Sequence, residues 1–243
     1  MTLPRRSFLA ASAAAGGLGL AGCNTPDREF SLRPAQLPHR ARLENRLQER
    51  LAQKQMNYGA RLHLVAYKES KEMEIWLEGD DGAFQLFDIL PICTYSGTLG
   101  PKLAEGDEQT PEGYYTLFPE DLHPDSNYHL ALDIGFPNFY DKSRDRTGSL
   151  IRIHGGCESI GCYAMTDPGI EVIYLLAEES FRQGAGTLSF AAYPFRFSEE
   201  RMAEESDNEW VGFWRNLAES DRYFHEHRRP PAAFVFAYRY FFL

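Results

Sequence analysis

Apolar and polar residues alternate along the chain from Arg61 onward, which is the period of a β-strand with one buried face. The segments RLHLVAYK and EMEIWLE predict two strands, and the acidic and polar KESKE between them predicts a hairpin turn. GAFQLFDILPICTYSG, at 82–97, is a further strand region bounded by glycines. A short strand is expected at Tyr114–Leu117, after a long loop rich in glycine, proline and acidic residues.

The second half of the chain predicts more strands. YHLALDIG alternates in the same way, IRI forms a strand that delivers His154 at its end, and TLSFAAYPFRF forms another. The tail AAFVFAYRYFFL is strand-like and very apolar. We expect this tail to be the last strand of the core rather than a contact with a membrane.

Three segments have the helical period instead. Leucines recur every four residues between 41 and 56 and predict a helix that packs on the domain, because so few apolar positions do not make a coiled coil. DPGIEVIYLLAEESFRQG has proline near its start and glycine at its end, as helices often do. Residues 198–229 are acidic and helical in character, with several aromatic residues on one face. The predicted class is therefore mainly β with peripheral helices, an α+β fold.

The first residues have the layout of an export signal. Arg5 and Arg6 precede a run of small apolar residues, and no acidic residue occurs before Asp27. The run is shorter and richer in alanine and glycine than the roughly 20 strongly apolar residues of a membrane-spanning helix. PRRSFLA resembles the twin-arginine export motif, and LAGC resembles the lipobox of bacterial lipoproteins. That resemblance implies cleavage before Cys23 and lipidation of this cysteine, with a plain secretory signal or a membrane helix as the alternatives.

An envelope location changes how charge and cysteines are interpreted. Asn24, which is not an aspartate, weakly favours the outer membrane over the inner one. Removing residues 1–22 takes away two arginines and no acid, so the formal net charge goes from −10 to −12. Nucleic acid is excluded as a partner, because phosphate binding needs clustered lysine and arginine. Beyond Cys23 the chain has three cysteines, and an odd number outside the cytoplasm indicates a free thiol.

The stretch IHGGCESIGCYAM offers what a thiolate nucleophile requires. His154 at a strand end is a base, and the two glycines after it allow a sharp turn. Cys162 precedes the predicted helix, whose N-terminus would stabilise a thiolate. The backbone N–H groups of Gly161, Cys162 and Tyr163 are expected to hold an oxyanion.

Other interpretations of the same residues remain open. Cys157 is a competing nucleophile, a small packed cysteine, or the partner of Cys162 or Cys93 in a regulatory disulfide. His154, Cys157 and Cys162 as metal ligands lack an obvious fourth ligand, which structural zinc usually has. The remaining histidines are interpreted as strand, loop or helix-end residues: His63 and His129 in strands, His123 in a loop, and HEH at 225–227 at a solvated helix end.

The motif S-x-G-C preceded by I-H-G resembles the active-site signature of the L,D-transpeptidases, the YkuD-type catalytic domain. GTLGPKLAEGDEQTPEGYY, YHLALDIGFPNFYD and RTGSLIRIHGGCESIGCYAMTD are together similar to the YafK-type branch of that superfamily. The resemblance covers roughly residues 60–196. It implies a β-rich, sandwich-like domain with the cysteine in a cleft.

The resemblance also implies roles for single residues. Cys162 is the nucleophile and His154 the general base, and the carbonyl of Gly155 orients the imidazole. Ser159 occupies the Ser/Thr position of the family and shapes the turn. Gly161 fits the tight turn before the nucleophile and contributes to the oxyanion hole.

Two features depart from the usual family pattern. His154 and Cys162 are only eight positions apart, and Ala164 stands where an arginine usually follows the nucleophile. Substrate choice is therefore expected to differ from that of the usual cross-linking enzymes. Three further positions either line the substrate cleft or are ordinary loop residues: Lys102, Tyr140 and Arg146.

The implied function is that of a peptidoglycan-modifying cysteine enzyme that needs no metal or organic cofactor. It forms a thioester with a stem-peptide carbonyl at meso-diaminopimelate and passes the acyl group to an amine. The alternatives are a hydrolase that releases a lipoprotein from peptidoglycan, and a non-catalytic peptidoglycan-binding lipoprotein. We divide the chain into an export signal (1–22), a lipidated tether with a helix (23–57), a catalytic domain (58–197) and a helical extension with a final strand (198–243).

Overall fold

The protein is described by a computed structural model that covers residues 32–243. The predicted export signal, the lipobox and Cys23 lie outside the described residues. The predicted α+β class is confirmed, because two main sheets pack with a small number of helices around them. Within residues 32–243 the α-helices are α1 (Arg40–Gln53), α2 (Phe139–Ser143), α3 (Asp167–Arg182), α4 (Glu199–Glu204) and α5 (Val211–His227), and a short 3-10 helix lies at Pro119–Asp121.

The strands of the described part of the chain fall into three sheets. In chain order they are β1 (Leu62–Tyr67), β2 (Glu72–Glu78), β3 (Phe84–Pro91), β4 (Gly113–Leu117), β5 (Leu122–Ser126), β6 (His129–Asp133), β7 (Arg152–His154), β8 (Tyr163–Ala164), β9 (Leu188–Tyr193), β10 (Ala233–Phe236) and β11 (Arg239–Phe242). The five-stranded sheet has the order β3-β2-β1-β9-β4, and the four-stranded sheet has the order β5-β6-β7-β8. Only the β1–β9 and β7–β8 neighbours run parallel within these two sheets.

The two main sheets share one apolar core. Side chains from one face of the five-stranded sheet, from the inner face of the four-stranded sheet and from α3 and α1 meet there. A second, aromatic cluster covers the opposite face of the five-stranded sheet, where α5 contributes Phe213, Trp214 and Leu217. Strand β1 is buried along its whole length because the five-stranded sheet is covered on both faces. Within residues 32–243, no helix is both long enough and apolar enough to cross a bilayer.

The prediction for the C-terminal tail is wrong. The tail is a hairpin of β10 and β11 that forms its own two-stranded sheet instead of one core strand. Its turn consists of Ala237 and Tyr238, both with positive φ, which suits a tight hairpin connection. Tyr240 is buried in the aromatic cluster, whereas Phe236 is 70% exposed. The apolar residues of the tail therefore attach the hairpin to the domain but do not add a strand to either main sheet.

Candidate active site

The parallel pairing of β7 with β8 puts the predicted nucleophile and the predicted base on the same face of the four-stranded sheet. Ile153 lies opposite Tyr163, and both side chains point into the shared core, where they are 0% exposed. Because side chains alternate between the faces of a strand, Arg152, His154 and Cys162 lie on the other face of the sheet. The backbone N–H of Arg152 contacts Sγ of Cys162 at 3.4 Å, which fixes the thiol beside β7.

The same face of the sheet carries polar residues that the sequence interpretation missed. Asp133 on β6 lies opposite Arg152, and His123 on β5 lies opposite Ala131, which in turn lies opposite His154. The prediction that His123 belongs to a loop is therefore wrong. The alternation in YHLALDIG and IRI was the available signal for these residues. It indicates which face of a strand each side chain occupies, but not which strands pair with each other.

The hydrogen bond of His154 determines which of its nitrogens is the base. Nδ1 lies 2.6 Å from the carbonyl oxygen of Gly155, and since a carbonyl only accepts, Nδ1 carries the proton. Nε2 is then the unprotonated nitrogen of the neutral ring. The imidazole packs against Tyr128 with ring centroids 4.7 Å apart. Burial lowers the pKa of His154, the Gly155 bond opposes this, and the charge of Arg152 lowers it further, so the ring is neutral at pH 7.

A glycine is required at 155 by the space around it. The backbone N–H of Gly155 donates to the carbonyls of Tyr128 and Leu130 at 3.0 and 3.1 Å. A Cβ atom at this position would lie 2.7 Å from both the Tyr128 carbonyl oxygen and an oxygen of Asp167. The turn after His154 therefore packs directly on the start of β6 and on the turn before it, and any side chain here would displace the base.

Cys162 is a free, half-buried thiol. Burial raises its pKa, and the backbone N–H and charge of Arg152 only partly oppose this effect. The thiol also faces the carbonyl of Leu150, with Sγ 3.7 Å from the oxygen. At neutral pH the site therefore holds a neutral thiol and a neutral imidazole.

Two expectations about the surroundings of Cys162 are wrong. The residue lies immediately before β8, and α3 begins only at Asp167 behind a Thr166 cap, so the thiol is not at the helix N-terminus. Two of the three backbone N–H groups expected to hold an oxyanion are engaged: Gly161 donates to Ser96 Oγ at 2.5 Å, and Cys162 donates to Ser159 Oγ at 3.0 Å.

Ser159 and Gly161 shape the turn that presents the nucleophile. Ser159 Oγ also donates to the carbonyl of Cys162 at 2.7 Å, so one hydroxyl holds both backbone groups of that residue. Thr110 Oγ1 donates to the same carbonyl at 3.1 Å. Gly161 has φ of +103°, a conformation that favours glycine.

A buried ion pair anchors the loop that supplies Ser96 and Thr110. Lys68 and Glu112 are both 0% exposed, and Lys68 Nζ lies 3.0 Å from Glu112 Oε1. The same ammonium donates to the carbonyls of Thr98, Gly100 and Thr110. Glu112 Oε2 accepts from Trp214 Nε1 of α5 at 2.7 Å, so the helical extension takes part in fixing this loop.

The three weaker substrate candidates make scaffold contacts. Lys102 is 3% exposed and donates to Asp107 and to the carbonyl of Ala104. Tyr140 is 3% exposed and stacks between aromatic rings of the extension. Arg146 donates to Asp141 Oδ1 at 2.9 Å. We therefore assign these three side chains to the scaffold of the site and not to its substrate surface.

A disulfide removes Cys157 from the list of candidate nucleophiles. Cys157 is bonded to Cys93, with 5.4 Å between their Cα atoms. Cys93 donates its backbone N–H to the carbonyl of Ala164 on β8, so the bond ties the turn after His154 to the strand after Cys162. Because its sulfur is in the disulfide, Cys157 is also excluded as a metal ligand beside His154 and Cys162. Among the described residues, no group of three or more His, Cys, Asp or Glu side chains converges to hold a metal ion.

Known proteins include relatives that match most of this chain. No protein-family model matches it. The protein named "Putative L,D-transpeptidase YafK" in Escherichia coli K12 and O157:H7 is 37% identical over 187 residues, which cover 77% of this chain and 76% of the relative. The chain belongs to the L,D-transpeptidase family.

Solved structures are more distant from this member of the L,D-transpeptidase family. The helical cell shape determining protein Pgp2 (K307A mutant) of Campylobacter jejuni has a TM-score of 0.46 and 17% identity, and the match covers 77% of this chain and 66% of that chain, just under two thirds. L,D-transpeptidase 1 of Mycobacterium tuberculosis has a TM-score of 0.31 and 12% identity, covering 55% of this chain and 62% of that chain. Likenesses this distant carry no information about the substrate.

Proposed function

We propose that this chain is a peptidoglycan-modifying cysteine acyltransferase of the L,D-transpeptidase family. Its nucleophile is Cys162 and its general base is His154. One observation carries the proposal: the neutral imidazole has its proton fixed on Nδ1 by Gly155, and its unprotonated nitrogen belongs to the same sheet face as the thiol. A module that only binds peptidoglycan has no need of such a pair.

In the proposed reaction, Nε2 of His154 accepts the thiol proton while Sγ of Cys162 attacks the stem-peptide carbonyl of meso-diaminopimelate. The tetrahedral intermediate becomes a thioester when the C–N bond breaks, and the imidazolium gives its proton to the leaving amine. An acceptor amine then attacks the thioester, and its proton passes through His154 to the departing thiolate. The new amide and the original neutral pair result.

The developing oxyanion requires a hydrogen-bond donor that is free. Ser96 Oγ accepts from the Gly161 N–H, and within residues 32–243 no atom accepts from this hydroxyl. The Ser96 O–H is therefore the donor that we assign to the oxyanion. The amides of Gly161 and Cys162 would join it only if the serine hydroxyls moved aside.

The proposal includes a place in the cell and a division of the chain. Residues 1–22 direct export, Cys23 carries the lipid, and residues 23–57 link it to the catalytic domain at 58–197, which the extension at 198–243 supports. The substrate is the peptidoglycan stem peptide on the periplasmic side of the envelope, with an envelope lipoprotein as acceptor or substrate. The outer membrane is the weakly favoured leaflet, on the basis of Asn24.

The test incubates the mature chain with purified sacculi that carry covalently bound lipoprotein. The sacculi are then digested, and the muropeptides are analysed by mass spectrometry. New cross-links or D-amino-acid exchange that require Cys162 and His154 would support the transferase. Loss of lipoprotein-linked muropeptides without new cross-links would assign the hydrolase instead. A Cys162→Ala variant as active as the wild type would refute both.

A further inference from the structure

The guanidinium of Arg152, a residue whose backbone lies beside the nucleophile, has an ion-pair partner but no hydrogen-bond partner among the described residues. Within the described part of the chain, no atom accepts a hydrogen bond from its side chain, and Nε is buried without a partner. The nearest carboxylate oxygen, Oδ2 of Asp133, lies 3.7 Å from Nε, which is too far for a hydrogen bond. The other oxygen of Asp133 accepts from the backbone N–H of Gly135 at 2.9 Å.

Two other arginines that are buried to a similar or greater degree each donate a hydrogen bond to a carboxylate. Arg40 donates to Glu178 at 2.7 Å, and Arg146 donates to Asp141 at 2.9 Å. Their side chains are 20% and 5% exposed, and that of Arg152 is 27% exposed. Arg146 also leaves its Nε without a partner, but Asp141 holds its guanidinium. Within residues 32–243, by contrast, none of the five donors of Arg152 has a hydrogen-bond acceptor, so they are available to a partner outside the chain.

The position of Arg152 limits what that partner is. The residue shares its sheet face with His154 and Cys162, and its backbone N–H contacts the sulfur. Its positive charge also lowers the pKa of both residues. The fork of an arginine matches a carboxylate in a bidentate geometry.

We propose that Arg152 is a specificity-determining residue that binds a free carboxylate of the substrate next to the scissile amide. This inference rests on the proposed function and extends it to substrate selection. Two carboxylates of a stem tetrapeptide have this chemistry: the one at the side-chain end of diaminopimelate, and the one on the residue that leaves. Asp133 makes an ion pair with this guanidinium, with 3.7 Å between Oδ2 and Nε, and leaves its hydrogen-bond donors free.

The experiment uses the mature chain and three synthetic stem tetrapeptides: one with both carboxylates free, and two with one or the other converted to a carboxamide. We expect kcat/KM of the wild type to fall about 10- to 100-fold for the amide that removes the recognised carboxylate, which is the size of a charge-assisted hydrogen-bonded pair. Arg152→Gln is expected to lose that preference, mainly through KM, and Arg152→Lys to keep part of it. Arg33→Gln, at a surface position 75% exposed, is the matched control.

A binding readout keeps the test independent of turnover. The product tripeptide with free carboxylates is expected to slow alkylation of Cys162 by iodoacetamide in the wild type and not in Arg152→Gln. The inference is overturned if the wild type treats all three peptides alike, or if Arg152→Gln keeps both the preference and the protection. Absence of any Cys162-dependent turnover, with protection retained, would instead count against the proposed function and leave the carboxylate site supported.

Discussion

Removal of the Cys93–Cys157 disulfide is expected to cost this protein a large part of its stability. The perturbation is the double variant Cys93→Ser/Cys157→Ser, which leaves no unpaired thiol to react with Cys162. Cys157 is exposed and Cys93 is half-buried, so the change buries little new polar surface. The loss therefore comes mainly from the unfolded chain, which the bond no longer constrains.

The magnitude follows from the loop that the bond closes. The two cysteines are separated by 64 residues. Chain-entropy arithmetic for a loop of that length gives about 4 kcal/mol at 25 °C. In a domain of this size each kcal/mol shifts Tm by about 2–4 °C, so the variant is expected to melt roughly 8–16 °C below the wild type.

The assay is equilibrium urea unfolding followed by fluorescence of the buried Trp76 and Trp214, with thermal melting by circular dichroism alongside. Wild type unfolded in the presence of a reductant should match the variant, because both lack the same bond. A variant within about 1 kcal/mol of the oxidised wild type would refute the loop-closure reasoning. Detection of Cys93 and Cys157 as free thiols in the native protein would refute the bond itself.

Three further predictions concern the site and its support. Because burial lowers the pKa of His154, the acid limb of the pH profile of kcat/KM is expected below the ordinary histidine pKa of about 6.5. Because burial raises the pKa of Cys162, the rate of its alkylation should have a midpoint above the ordinary thiol pKa of about 8.5. A midpoint on the opposite side of either value would contradict the corresponding pKa shift. Lys68→Met should lower the free energy of unfolding in urea by about 3–5 kcal/mol, because it leaves Glu112 buried and unpaired. The double variant Lys68→Met/Glu112→Gln should regain part of that stability. Equal losses in the single and the double variant would exclude the ion pair as the cause. Ser159→Ala removes both bonds to the main chain of Cys162 and should lower kcat/KM about 10-fold while Ser159→Thr keeps most of it, a result that unchanged kinetics of the alanine variant would contradict.

Local patterns were sufficient to identify most elements and the two central residues. The period of two in RLHLVAYK and EMEIWLE, and the helical period after Pro168, correspond to β1, β2 and α3, because side-chain periodicity is a property of the segment itself. His154 and Cys162 were identified by a motif within nine residues. The prediction for the C-terminal tail failed for the same reason. A mostly apolar run without a glycine or asparagine turn does not indicate where the chain reverses direction to form a hairpin.

The rest depended on which segments lie side by side. The partner of Cys157 is 64 residues away in the chain, and its choice depends on the bridge between β8 and the segment at 93–94. Arg152 is placed in β7 by the sequence, but only the register with β8 puts it beside the sulfur. The pairing with β6 places it opposite Asp133, at a distance too long for a hydrogen bond. The sequence by itself thus determined the chemistry available and the faces of the strands. The tertiary structure alone decided which donors were already satisfied, because hydrogen bonding depends on distances between atoms that sequence separation does not specify.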